Sequence, residues 1–349
     1  MVKSDSGAYK STGIKEEWLL LLNPHAGCSK GLEDKELILS KLREKKIKFK
    51  LVTSDYPRHS FTLVKQYIEE GFRKIIVAGG DGTLNEVVNG IFLQEATDPE
   101  NIKLGMIPIG TGNDWIKTFG IPLGYDESIQ TIIENKVVKQ DIGKITYSDN
   151  NEENTRFFAN IAGFGFDAMV AERANALKAK GKKGLIVYLQ SLLGSFFSYK
   201  ICRAKIQIDK QEIEDYIFTS SIGIGKFNGG GMMQTPYAIP NNGRFQITVI
   251  KKIGLFGIIR NLARLYKGTF VKDHRVSTYT CKEVYISGVH TIPGEVDGES
   301  LGNHSFHIVM IPEKLQVIYG DDKYLFKDNL ETVQDEPSLK ESVLTVVSE

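Results

Sequence analysis

The sequence predicts two domains: an α/β N-terminal domain on a parallel sheet, and a C-terminal β-sandwich interrupted by helical insertions. Apolar runs of strand length alternate with segments of helical period through the first part of the chain. Three of those runs, near residues 18–22, 75–78 and 103–107, end in glycine-bearing turns that open helices. From about Lys136 to Lys144 the texture changes to successive alternating strands, which implies antiparallel pairing. With 349 residues the chain can bury two cores.

In order, residues 1–14 are polar and expected to be mobile. Trp18 to Leu22 suits a strand buried on both faces, and Asn23-Pro24 stops it. Gly27, Ser29, Lys30 and Gly31 predict a flexible loop before a helix that begins near Leu32 and runs to about Lys46. A strand Phe49–Thr53 and a helix Phe61–Glu70 follow, then RKIIVAGGDGTLNEVVNGIF at 73–92. Here a strand meets Gly79, Gly80, Asp81, Gly82 and Thr83, and Leu84, Val87, Val88 and Ile91 continue at helical spacing. The glycines allow positive φ and close approach of a ligand to the backbone. Thr83 can cap the helix, whose first-turn N–H groups suit an anion, most often phosphate. Asp81 would repel a bare phosphate unless a divalent cation stood between them, so the residues read as a nucleoside triphosphate with Mg2+. For GGDG alone, a turn that serves only the fold is an even alternative. The third turn, PIGTGNDWIK, sets Gly110 and Gly112 around Thr111, and Asn113 or Asp114 can cap a short helix carrying Trp115 and Phe119. In a parallel sheet all three turns fall at the ligand-binding, carboxyl edge.

The second domain is predicted from strands at Val137–Tyr147, Arg156–Ala162, Ile201–Asp209, Ile213–Ile224, Phe245–Lys251, Ser277–Ser287, Gly288–Val296 and His304–Ile311. Helical insertions fall at Asp167–Lys180 with Leu185–Ser198, and at Leu255–Lys267. AGFGFDA, residues 162–168, fits the GxGxxA of a dinucleotide-binding turn, but no strand-acid pair follows about 20 residues on and its surroundings are antiparallel. PGEVDGES places Asp297 and Glu299 two apart, on one face of a pure strand; a structural hairpin is the alternative. His304 and His307 would lie on opposite faces of one strand.

Lys and Arg number 44 against 43 Asp and Glu, so no global field draws the protein to nucleic acid or anionic lipid. No apolar run approaches the ~20 residues of a spanning helix, and the N-terminus lacks a signal-peptide core. Cys28, Cys202 and Cys281 lack metal-site spacing and an even count, which points to a reducing cytoplasm. The oligomeric state is not set by the sequence, and a homodimer is allowed.

GGDGTLNEVVNG resembles the signature of the diacylglycerol kinase, sphingosine kinase and NAD kinase superfamily. NPHAG, similar to the lipid-kinase NPxxG at Asn23, Pro24 and Gly27, GTGND at 110–114 and VDGE at 296–299 narrow the resemblance to the lipid kinases. It covers roughly residues 17–320 and implies an ATP-dependent kinase acting on a lipid hydroxyl, with the NAD-kinase/diacylglycerol-kinase-like fold. The implied domains are residues 15–138, to which 315–330 return, and 139–314, with 331–349 mobile. Nucleotide would be held by Asn23, Pro24, Gly27, Thr53, Gly79 to Asn85 (including Leu84), Thr111 and Lys117. Asp81 and Asp114 would organise Mg2+ and water, Glu299 would be the general base with Asp81 its rival, and Asp297 would join the Mg2+-water network. Asp167 would hold the lipid's polar head. A structural cation at Asn242 and the carbonyls of Ile239 and Arg244 is put in doubt, because this chain has Asn241 and Asn242 where the family often carries an acid. Another departure is Cys28, where a basic residue usually follows NPxxG. NAD kinase is the runner-up, and a non-catalytic lipid-binding module the reading of another class.

The substrate would lie in a bilayer, so the enzyme would work at the cytoplasmic membrane surface. Residues 254–270 carry Leu255, Ile258, Ile259, Leu262 and Leu265 at helical spacing, with Arg260, Arg264 and Lys267 on another side. Residues 185–197 could line an acyl groove. Packing on the sandwich is the competing use for both.

Overall fold

Leu19 to Leu22 and Ile75 to Ala78 expose no surface at all, the state of strands covered on both faces. In the computed structural model, which describes residues 13–150, 152–179, 185–199, 201–288 and 291–325, they lie at the centre of a parallel sheet. The expectations for residues 1–12 and 326–349 fall outside the described residues.

The first half alternates: β1 (Trp18–Leu22), α1 (Ala26–Glu33), α2 (Lys35–Glu44), β2 (Phe49–Thr53), α3 (His59–Glu69), β3 (Lys74–Gly79), α4 (Asp81–Phe92), β4 (Lys103–Pro108), α5 (Asp114–Thr118) and α6 (Tyr125–Glu134). The strands pair in parallel in the order β4-β3-β1-β2, with Leu22 opposite Thr53 and Ala78. Side-chain alternation sorts them into two layers. Leu19, Leu21, Ile75 and Val77 pack with Val64 and Ile68 of α3 and Leu84, Val87, Val88 and Ile91 of α4. Leu20, Leu22, Ile76 and Ala78 pack with Ile38, Leu39 and Leu42 of α2 and Ile129 and Ile132 of α6.

The second half runs β5 (Val137–Asp149), β6 (Glu152–Phe158), β7 (Ile161–Gly165), α7 (Phe166–Ala179), α8 (Leu185–Ser198), β8 (Cys202–Ile208), β9 (Gln211–Gly223), β10 (Phe227–Asn228), β11 (Met232–Met233), β12 (Phe245–Lys251), α9 (Leu255–Tyr266), β13 (Val276–Cys281), β14 (Glu283–Gly288), β15 (Ile292–Val296), β16 (Glu299–His304) and β17 (Phe306–Ile318). Among these strands the pairing is antiparallel throughout. The start of β17 pairs with β14, while its end runs parallel to β4 with Gln316 opposite Lys103. β5 follows β17 along nearly its whole length, so hydrogen bonding is continuous from the α/β half into the β-rich half.

Three expected strands differ in detail. Arg156–Ala162 is two strands, because the N–H groups of Ala159, Asn160 and Ile161 turn to a side chain, Asp297, instead of a ladder. Ser277–Ser287 is also two, broken at Lys282, whose N–H and that of Glu283 donate to Asp209 Oδ1. His304 and His307 lie on consecutive strands, β16 and β17, not on one. AGFGFDA places β7 between antiparallel β9 and β15, which is not a dinucleotide-binding βα unit.

The insertions α8 and α9 share one apolar cluster, in which Leu192 of α8 and Ile258 of α9 meet Phe166, Val170, Phe218 and Ile253. Arg260 is tied to Asp273 at 3.3 Å, while Arg264 and Lys267 are exposed. Leu193 and Phe197 of α8 stand out at 45% and 78% exposure. The side chains of Leu255 and Ile259 lie outside the described residues. No helix among the described residues is long and apolar enough to cross a membrane.

Candidate active site

The three glycine turns meet at the carboxyl edge of the sheet. Asn23, just after β1, donates from Nδ2 to Thr83 Oγ1 at 2.9 Å and accepts from His25 N, joining the first turn to the second. Thr83 is therefore not the helix cap expected; α4 begins after Gly80 with no side-chain cap. Gly80 and Gly110 touch backbone to backbone, since a Cβ on Gly110 would lie 2.7 Å from Gly80 Cα. The expected loose stretch after Pro24 is a left-handed run, Gly27, Cys28 and Ser29 with φ of 60°, 63° and 76°. At Gly27 the glycine is obligatory in two ways: a positive φ and a Cβ position 2.2 Å from the Ile109 carbonyl oxygen. Thr53 ends β2 half-buried beside this edge, and Thr111 is exposed on the third turn. The first-turn N–H groups of α4 point out of the helix end without intrahelical acceptors, and glycine stands on both sides of Asp81. This cradle fits the phosphates of a nucleotide.

Asp81 accepts the N–H of Asp114 at 3.0 Å and of Trp115 at 3.2 Å, so it caps α5 from another element. Burial, and then the charge of Asp114, raise its pKa. A carboxylate has about four acceptor sites, and Asp81, whose Oδ2 also accepts the Asp114 N–H at 3.1 Å, keeps room for one more partner such as a cation or water. Asp114 is engaged to the same extent: its oxygens accept Gly230 N and Gly231 N, both at 2.7 Å, and Lys117 Nζ at 2.6 Å. Lys117 also donates to the Gly112 and Asn113 carbonyls, so its three N–H groups are spent within the third turn and not on the phosphate role expected of it. Together Asp114 and Lys117 clamp the third turn to the β10–β11 hairpin. Two more residues of the GGDGTLN stretch face elsewhere: Leu84 is in the core, and Asn85 Nδ2 donates to Phe157 O and Asp297 Oδ2.

VDGE is a two-residue hairpin. Val296 pairs with Glu299, and Asp297 and Gly298 take φ of 49° and 87°, as a type I′ turn requires. Asp297 and Glu299 do not share a face. Asp297 turns inward and accepts Asn85 Nδ2, Ala159 N, Asn160 N and Ile161 N at 3.0–3.1 Å. Burial outweighs these four donors and pushes its pKa up to about 6. This saturation removes it from the metal-water network expected. Glu299 is exposed and reaches over the cradle; its Oε1 lies 3.3 Å from where a Cβ on Gly82 would be. Gly82 thus leaves the space between helix α4 and the carboxylate.

Asp167 opens α7, accepts Ser221 Oγ at 3.0 Å, and has its pKa raised by burial. Glu295 escaped the sequence reading. It is buried beside Asp167, accepts Gly298 N at 2.7 Å, and its pKa is pushed up to about 8 by burial, with the charges of Asp297 and Asp167 contributing. Its signal was an acid between Gly294 and the core residue Val296. The loop proposed for a structural cation is organised otherwise. Asn242 Oδ1 accepts Arg244 N at 3.0 Å, Ile239 is buried, and buried Asp141 accepts Gly243 N and Glu313 N while donating its own N–H to Pro240 O. No group of three or more His, Cys, Asp or Glu side chains gathers as a metal site among the described residues.

Two family models match the chain: the diacylglycerol kinase catalytic domain over residues 17–145, and the YegS C-terminal NAD kinase beta sandwich-like domain over 160–319. A diacylglycerol kinase of Staphylococcus carnosus (strain TM300) is 30% identical over 258 residues, 74% of this chain and 80% of its own. YtlR of Bacillus subtilis (strain 168), which carries a lipid-kinase name, is 27% identical over 316 residues, 86% of this chain and 98% of its own. In fold the chain is similar to a crystal structure of a diacylglycerol kinase from Bacillus anthracis str. Sterne, with a TM-score of 0.65, 22% identity, and 87% and 97% of the two chains covered. The glycine turns, the DGE hairpin over them and these matches lead to one conclusion: the chain belongs to the bacterial-type diacylglycerol and lipid kinase family.

Proposed function

We propose that this protein transfers the γ-phosphate of ATP to the hydroxyl of a diacylglycerol-like lipid. The observation that carries the reading is the placement of the Glu299 carboxylate over Gly82, at the helix end where the three glycine turns meet. In this reading the N–H groups of Gly80 to Thr83 and the Asn23–Gly27 turn hold the phosphates, while Thr53 and Thr111 flank the nucleotide. Asp81 is the residue that would hold Mg2+, directly or through water. Bound Mg2+ supplies charge neutralisation between the β- and γ-phosphates. Glu299 accepts the proton of the attacking hydroxyl, a modest task because phosphoryl transfer depends mostly on positioning and charge. Asp167, half-buried and raised in pKa by desolvation, accepts or shares a hydrogen bond with the lipid head. The diacylglycerol kinase name of the staphylococcal relative favours a glycerolipid over a sphingoid base.

The acceptor must be drawn from a bilayer. Leu193 and Phe197 of α8, with Arg264 and Lys267 of the neighbouring α9, are the surface we assign to it, on the cytoplasmic side. Incubation with labelled ATP and a panel of lipids, with NAD alongside, tests the function. Label in a lipid is expected; label in NAD alone overturns the reading. Glu299→Gln should lower kcat on the order of 10²-fold while ATP still binds, and near-normal turnover would remove Glu299 as base.

A further inference from the structure

One turn along α4 from Gly82, where Glu86 and the β6 backbone meet the helix, the structure gathers charge that the mechanism does not use. Arg156 lies on β6, next to Phe157, whose backbone is stitched to Asn85 and Asn89 of α4. Ile145, opposite Arg156 on β5, belongs to the core, so the guanidinium starts from the inward face of this pair. Its Nε is buried and has no hydrogen-bond partner. Arg58 adjoins the same helix from the start of α3, held in a left-handed conformation (φ 67°) with its N–H donating to Glu86 Oε1 at 2.8 Å.

The acids nearby do not satisfy the pair. Glu86 lies one turn after Gly82 on α4 and spends one oxygen on Arg58 N and the other on Ser60 N, both backbone groups. Glu299 makes no ion pair shorter than 4 Å among the described residues, nor do Arg58 and Arg156. Burial and then the charge of Arg58 act against the charge on Arg156, while Tyr147, Glu299 and Glu86 act for it. The charges of Glu299 and Glu86 offset part of the repulsion between the two guanidiniums, but neither acid fills the buried Nε of Arg156, and a buried donor without an acceptor is costly. A planar guanidinium with several donors suits the oxygens of a phosphoryl group.

We propose that Arg156 and Arg58 form a binding site for a phosphoryl group, beside Glu299 and on the flank of α4. The proposal rests on the kinase reading only for what bears that group: the terminal phosphate of a nucleotide, or the phosphate of an anionic lipid such as the reaction product. The pair then receives charge next to the base, outside the cradle formed by the glycine turns.

The test measures binding by calorimetry for wild type, Arg58→Gln, Arg156→Gln and Arg156→Lys, with pyrophosphate, ATP and a short-chain phosphatidic acid in turn. Wild type should bind pyrophosphate, and each Gln variant should weaken it about tenfold, the usual worth of a charged hydrogen bond. Weaker ATP with unchanged phosphatidic acid assigns the site to nucleotide; the reverse assigns it to lipid. If Arg156→Gln fails to fold, Arg58→Gln, at an exposed position, decides together with Arg156→Lys, which keeps the charge. No pyrophosphate binding by wild type, or wild-type affinities for all three ligands in a folded Arg58→Gln, overturns the site. Arginine-dependent pyrophosphate binding by a protein that phosphorylates no lipid would leave the site standing and sink the kinase reading instead.

Discussion

Asp297 is where the structure departs most usefully from expectation, and replacing it separates two roles. Its carboxylate accepts N–H groups from Asn85, Ala159, Asn160 and Ile161, all of them buried residues. Asp297→Ala strands these donors, each at roughly 1–3 kcal/mol, and water entering the vacated space recovers part of that. A net loss of about 3–5 kcal/mol is expected, at the top of the range for single substitutions. Asp297→Asn keeps one good acceptor but turns an amide N–H₂ toward other donors, so about 2–3 kcal/mol should go. Asn85→Ala removes one donor and leaves the carboxylate three, a loss of about 1 kcal/mol. Urea unfolding followed by far-UV circular dichroism measures the series. The order Ala, then Asn, then Asn85→Ala is the outcome expected of a structural anchor. If Asp297→Asn unfolds at the wild-type midpoint yet loses turnover, the residue serves the chemistry directly and this reasoning fails.

Other expectations follow from single features. Glu295 has a folded pKa of about 8 against the 4.5 of a free glutamate; its stabilising contribution is complete below about pH 4.5 and is lost as pH rises toward 8, because the unfolded chain releases the proton first. Glu295→Gln should therefore flatten the fall in melting temperature between those limits, and an unchanged pH profile would show that Glu295 is not protonated in the folded protein. Gly110→Ala places a Cβ 2.5 Å from Asn113 Oδ1 and 2.7 Å from Gly80 Cα; about 1–3 kcal/mol of stability should be lost, with weaker ATP binding, and a wild-type melt would mean that the turns do not touch in solution. Leu193→Ser with Phe197→Ser should reduce sedimentation with anionic vesicles without altering the melting temperature, since both side chains are already exposed. Equal sedimentation would place the membrane-facing surface elsewhere.

The parallel half was legible because its strands are buried on both faces and its turns carry glycine, two properties written in consecutive residues. Ile75 to Ala78 followed by Gly79 and Gly80 allows few other conformations, and Gly27 could be marked as special before its neighbour Ile109 was known. What could not be read was the direction in which polar side chains turn. Asn85 and Leu84 stand beside Thr83 in the motif, but helical rotation sends one to Asp297 and the other into the core. Asp114 carries a charge suited to Mg2+, and only the β10–β11 hairpin, more than a hundred residues later, reveals that its oxygens also anchor a second element. Glu295 looked like one more polar residue on an alternating strand. Its burial depends on Gly163, opposite it on β7, where the missing Cβ leaves room for the carboxyl group.

The same long-range bonds explain how a cleft between two halves of a chain can hold a defined geometry. In the proposed reaction the α/β half supplies the phosphate cradle and the β-rich half supplies Glu299, so their separation must be fixed from both sides. On one side, Asn85 and Asn89 of α4 grip the Phe157 backbone and Asp297, in the turn of the hairpin whose second strand begins with Glu299. On the other, Asp114 grips the Gly230 and Gly231 N–H groups. Both clamps are carboxylates receiving N–H donors in partly or fully buried surroundings, where such bonds are strong and costly to leave unmade. Both clamps also start from residues within or next to the glycine motifs. GGDGTLN and GTGND would therefore do more than admit phosphate in the proposed reaction. The glycines shape the cradle, and the polar residues that follow them set its distance from the carboxylate that faces it.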